Sequence, residues 1–160
     1  MLELVSSNTF NFLGIPSLLG RTILPEDGRP GAPPVFVMNY RFWQSEFAGD
    51  PKVLDKIFIL NGTPTVLVGI MPPRFNAFNA HFWMPLPNGD LGAQVMGRLR
   101  PGVGVRTATA DLDAIAHRSQ QTNPSIAFPL PEQFVVVAQT LLDSLVGNFK
   151  QTLYALLAAV

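Results

Sequence analysis

Asn61 and Gly62 separate two runs of strand-forming residues, Ile57–Leu60 and residues 65–70. A two-residue type I′ turn needs positive φ at both central positions, which Asn and Gly tolerate best. The spacing therefore predicts an antiparallel β-hairpin with Asn61-Gly62 at its tip. The same residues spell a glycosylation sequon, Asn61-Gly62-Thr63, but a tight hairpin accounts for the pair without a modification.

The segments around the hairpin read as a mixture of helix and strand. Ser6, Ser7 and Asn8 are helix-capping residue types before a short helix that ends at Gly14. Residues 25–34 are dense in Pro and Gly and form a surface loop, in which Glu26 and Asp27 are turn or helix-start residues. Val35–Met38 is an apolar strand, and Asn39 caps a helix reaching about Ala48. Gly49-Asp50-Pro51 breaks that helix, and Pro51 opens one further turn over Val53 and Leu54. Residues 81–86 and 93–100 read as short strands, and Pro101-Gly102 turns the chain into a helix over 105–121. On that helix Ala108, Leu112, Ile115 and Ala116 share one face, which predicts a buried stripe. Asp111, Asp113 and Arg118 fall on or beside the wet face. Asn123-Pro124 ends the helix, a strand over 134–138 follows, and residues 141–160 are helical again.

That last segment is unusually apolar. Asp143 and Lys150 are its only charges, and residues 153–160 are apolar without a break. Eight residues are too few to cross a bilayer, which needs about 20. They suit either the start of a membrane helix or a C-terminal core helix. Across the whole chain 48% of residues are apolar and 14% charged, against about 25% charged in ordinary globular domains. The N-terminus has no basic region followed by an apolar stretch, so a chain bound for the periplasm is expected to begin within a larger polypeptide.

Composition and motifs argue against several kinds of chemistry. Eleven basic and eleven acidic residues cancel, so net charge makes no case for nucleic acid. The absence of cysteine removes disulfides, thiolate metal sites and a thiol nucleophile. The two histidines, His81 and His117, belong to no metal-binding spacing. Asp111 and Asp113 stand two apart on a helix and diverge by roughly 200°. Gly102-Val103-Gly104 lacks the third glycine and the preceding strand of a dinucleotide loop. There is no nucleophile elbow and no phosphate-binding lysine loop. The aromatics Phe42, Trp43, Phe47, Phe75, Phe78, Phe82 and Trp83 alternate with Pro and Gly, which fits core packing and inter-lobe contacts better than base stacking.

Several motifs, in order, resemble the MacB-like periplasmic core domain of ABC transporter permeases. They are Val5-Ser6 with Phe10 and Leu13-Gly14, Gly20-Arg21 before an acidic loop, and Phe42-Trp43 with Phe47 and Gly49-Asp50-Pro51. Leu60-Asn61-Gly62, Val68-Gly69-Ile70 with Pro72-Pro73 and Phe75, and Trp83 with Pro85-Leu86 follow. Arg98-Leu99 with Pro101-Gly102-Val103, and Ala108 with residues 112–116, complete the likeness. Each motif is weak alone, and their order and spacing carry the resemblance. Asp55 stands where relatives commonly carry Gly.

The resemblance implies an α+β, two-lobed extracytoplasmic domain in the bacterial inner (plasma) membrane, facing the periplasm or cell exterior. Residues 1–34 and 101–140 would form a porter-like α/β lobe, lacking an opening strand. Residues 35–100 would form a β-rich, sabre-like lobe, and residues 141–160 a stalk running into a transmembrane helix. The missing strand would leave an exposed, aggregation-prone sheet edge. The chain itself would be non-catalytic and hold no cofactor, with ATP bound by a partner ABC ATPase subunit or domain. A second permease copy, a periplasmic adaptor protein and the membrane are the other implied partners, and nucleic acid is not one. Its work would be export, or mechanotransmission to other proteins. Leu141, Leu145, Phe149 and Leu153 share helical spacing and would form the coupling face of the stalk, or else simply pack against the domain. The rival readings are a soluble periplasmic binding or scaffolding module and, less well supported, a hydrolase with an unrecognised site.

Overall fold

The computed structural model describes residues 1–76, 79–86, 95–122 and 136–146. The chain divides into two compact units, Met1–Ala93 and Gln94–Val160.

The first unit is built on a mixed six-stranded sheet. Its strands are β1 (Leu2–Val5), β2 (Leu19–Gly20), β3 (Val35–Met38), β4 (Ile57–Leu60), β5 (Thr63–Ile70) and β6 (Phe82–Pro85). The order is β1-β6-β3-β5-β2, with β4 also paired to β5. β1 runs parallel to β6 and β3 parallel to β5, while β3·β6, β2·β5 and β4·β5 are antiparallel. The hairpin forms as its sequence predicts, with Asn61 at φ 49° and Gly62 at φ 79°. β1, made from the first residues, is an edge strand of the sheet beside β6. β1 and β2, from the first 34 residues, share the sheet with the strands of residues 35–86.

β3 shows how the core is divided. All four of its residues are buried, and successive side chains point to opposite faces. Val35 and Val37 enter one cluster with Val5, Phe10, Ile23, Met71, Phe75 and Trp83. Phe36 and Met38 enter the other with Trp43, Val53, Leu67 and Ile70. Helix α1 (Thr9–Leu13) places Phe10 in the first cluster, and α2 (Tyr40–Phe47) places Trp43 in the second. The expected aromatic packing is realised: Phe36 meets Phe58 and Phe82 edge-on, each at 5.6 Å between ring centroids. Phe78 lies outside the described residues. Trp83 is fully buried, and its indole N–H finds no acceptor among the described residues. An indole N–H left with no acceptor at all would cost about 1–3 kcal/mol. Burying a ring of this size gains about 4–6 kcal/mol, so the ring stays inside.

β5 carries an irregularity with a large effect. Phe36 pairs with Leu67 but Val37 pairs with Gly69, so Val68 is an extra residue opposite β3. Such a bulge reverses the alternation beyond it. Leu67 and Ile70 therefore reach the same cluster although three residues apart. On its other edge β5 meets β4 and then β2, with Asp55 N–H to Leu67 O (2.9 Å) and Arg21 N–H to Val68 O (2.8 Å) between them. There the two backbones approach closely. A Cβ on Gly69 would lie 2.0 Å from Arg21 O, and one on Gly20, at φ 65°, would lie 2.3 Å from Val68 O.

In the second unit, α3 (Val105–Thr122) forms close to its expected range, and α4 (Leu141–Val146) follows. The expected buried stripe on α3 is not buried. Leu112 and Ile115 are 46% and 57% exposed. Periodicity selects the apolar face of a helix but does not supply a surface to cover it. Asp113 is half-buried, and its carboxylate accepts from Val136 N–H at 3.4 Å. The strand expected over 93–100 is absent from 95–100, where Gly97 interrupts the apolar residues and no neighbouring strand pairs. Residues 136–138 are likewise irregular, and the rest of that expected strand lies outside the described residues. No described helix is long and apolar enough to cross a membrane. The apolar run 153–160 lies outside the described residues.

The close crossing makes a direct prediction. Gly69→Ala lowers the unfolding free energy by about 3 kcal/mol, the upper end of ordinary overpacking. Urea denaturation followed by tryptophan fluorescence measures the change, and a wild-type midpoint would show that the crossing relaxes without cost.

Candidate functional site

The helix-capping Asn39 and several of the motif residues sit where the backbone needs them. Asn39 is buried at the end of β3, and its Oδ1 accepts from Arg41 N–H at 2.7 Å and Phe42 N–H at 3.3 Å. Its Nδ2 donates to Ala80 O at 3.3 Å and Asn76 Oδ1 at 3.4 Å. One amide thus caps α2 and ties down the segment leading to β6. Asp50 accepts from Lys52 N–H at 2.9 Å, while its own carbonyl accepts from Trp43 Nε1–H at 2.9 Å. Ala48 and Gly49 between them take left-handed φ of 51° and 73°. Asp55 has φ 61°, a conformation that favours Gly and that Asp tolerates better than most residues.

Arg21 and Asp27 form the one strong ion pair of the first unit among the described residues. Arg21 donates to both Asp27 oxygens, at 2.6 and 2.9 Å, and Leu24 N–H donates to the same carboxylate at 2.8 Å. This clamp closes a 3₁₀ turn, Pro25–Gly28, within the loop where Glu26 and Asp27 are expected as turn or helix-start residues. Burial alone would raise the Asp27 pKa. The hydrogen bonds from Arg21 and Leu24, together with the Arg21 charge, outweigh it and hold the carboxyl below its usual value.

Beside the clamp lies an open groove of about 360 Å³ between the end of α1 and residues 22–25. Phe10, Ile15, Pro16, Ile23, Leu24 and Pro25 supply most of its wall, and no ionisable side chain among the described residues lines it. No described group of three or more His, Asp or Glu residues has the geometry of a metal site. His81 and His117 are both exposed. His117 lies 3.7 Å from Asp113, one turn earlier on α3.

The structure brings together only part of what the sequence suggests for coupling. Leu141 opens α4 and is 60% exposed. Thr140 caps that helix by accepting from Asp143 N–H at 3.0 Å. Leu145 lies on the same short helix, while Phe149 and Leu153 lie outside the described residues. A feature that the sequence reading passed over is the bare face of β4. Ile57 and Ile59 are 67% and 66% exposed, whereas Phe58 and Leu60 pack against the second cluster. Strict alternation inside an all-apolar strand was the available signal.

These features define an α+β domain whose distinctive side chains hold turns, caps and crossings in place. Residues 1–115 match the MacB-like periplasmic core domain, and the chain belongs to that family. Such domains face the periplasm on membrane permeases of ABC transporters and are generally non-catalytic. No curated protein matches the sequence.

The clamp predicts a pH dependence. A carboxyl with a lowered folded-state pKa adds stability above its unfolded value near 3.8, and that stability is lost as pH falls through the folded value. The thermal midpoint should therefore drop more steeply below about pH 4 in the wild type than in Asp27→Asn. At neutral pH the variant should be destabilised by about 1 kcal/mol, since the pair is only partly buried. Parallel pH–melting curves for the two proteins would disprove the assignment.

Proposed function

We propose that the chain is the extracytoplasmic part of an ABC transporter permease subunit that transmits motion and performs no catalysis. In this reading a partner ATPase hydrolyses ATP in the cytoplasm, and paired permeases carry the resulting motion across the inner membrane. The motion serves export or mechanical signalling. The family match over residues 1–115 carries the proposal. It is supported by the use of the motif residues, since Gly20, Asp50, Asn61 and Gly69 all satisfy backbone geometry. A domain that relays force needs stiffness more than reactive groups. Leu141, Leu145, Phe149 and Leu153 are proposed as the coupling face. A second permease copy and a periplasmic adaptor are its proposed neighbours.

The test is purification of the native, full-length gene product from membranes in mild detergent. Co-purification of an ABC ATPase, with hydrolysis that falls several-fold in a Leu141→Asp/Leu145→Asp variant, is the expected result. Recovery of the protein in the soluble periplasmic fraction without an ATPase would overturn it and favour a binding or scaffolding module.

A further inference from the structure

We propose that β4 pairs antiparallel with β4 of a second copy of this chain. The inference rests on the strand edge alone and stands whether or not the domain serves a transporter.

Pro64 sets the phase of the edge. It lies opposite Ile59 and has no N–H, so that pair cannot exchange two hydrogen bonds. Leu60 with Thr63, and Phe58 with Thr65, are then the hydrogen-bonded pairs. The N–H and C=O groups of Ile57 and Ile59 consequently point away from β5. Among the described residues β4 pairs with β5 alone, so these groups meet no other strand. The side chains of the same two residues are two-thirds exposed. β4 contains no charge, proline or bulge, the usual devices that keep an edge from pairing.

The edge is complementary to itself. A twofold axis through Phe58 sets Ile57 against Ile59 of the second copy and Ile59 against its Ile57. Both pairs then exchange two hydrogen bonds, and four isoleucines gather on one face. Lys56 falls opposite Leu60, so no like charges meet. Nothing on the strand selects a charged or polar foreign partner, and reciprocal contacts of this kind are the mark of a twofold interface. Two isoleucines per copy cover far less than the roughly 800 Å² per partner of a standard interface. Pairing is therefore weak between free chains and strengthens where two copies are held close.

The full chain has no cysteine, so Ile57→Cys and Ile59→Cys each introduce one thiol. Cα atoms in a hydrogen-bonded pair are about 5.5 Å apart, which suits a disulfide. Under mild oxidation a mixture of the two variants should form crosslinked dimers, at least several-fold more than either variant alone. Crosslinking that is strongest in one variant alone, or absent from the mixture, overturns the register. Sedimentation velocity supplies a second measurement free of thiols. The wild type should shift toward dimer with rising concentration, and Ile59→Lys should lose that shift while keeping its circular dichroism spectrum. An unchanged shift in Ile59→Lys, or no shift in the wild type, overturns the proposal.

Discussion

At the pairing of Gly20 with Gly69, two backbones approach too closely for either residue to carry a side chain. The outer edge of the sheet depends on that contact. It lets β2 and the residues after it complete the outer edge of β5 beyond the end of β4. It also sets the start of the loop in which Arg21 reaches back to Asp27. On the inner edge, the extra residue at Val68 turns Ile70 toward the α2 side of the sheet. A single strand thus organises both clusters, and its glycine and its bulge are adjacent residues.

Local chemistry was legible in the sequence wherever one residue type satisfies one geometric need. Asn61-Gly62, the Gly14 cap, the Asn39 cap and the turn at Pro51 are all of this kind. Long-range facts were not legible. Nothing local to Leu2–Val5 says that it lies beside Phe82–Pro85, 80 residues away. Nor does anything local to residues 1–34 say that β1 and β2 join the sheet of residues 35–86, because strand partnership is a property of pairs. The α3 stripe failed differently. Leu112 and Ile115 are correctly on the apolar face, yet both are substantially exposed. Amphipathicity describes one surface, and burial requires two.

The candidate site shows a related division. The polar side chains that the sequence offers for chemistry are already engaged in holding the backbone. Asn39 uses both of its amide atoms, and Asp27 uses both oxygens. Family motifs of this sort record how a shape is maintained. The exposed pair on β4 has no such local employment, which is why it stood out only once the strand pairing was known.

The parallel pairing of β1 with β6 has a mechanical consequence. Leu2 lies beside Phe82 and Val5 beside Pro85, so the entry and exit strands of the unit run side by side in one direction. Opposed pulls at Met1 and Leu86 would slide these strands lengthwise past each other. Their cross-links include His81 N–H to Met1 O at 2.9 Å and Leu86 N–H to Val5 O at 2.7 Å, at opposite ends of the pair. Loaded in shear, such bonds share the tension and yield together, whereas a hairpin pulled at its open end peels one bond at a time. Along that pair the first unit therefore resists opposed pulls at Met1 and Leu86 with several bonds at once.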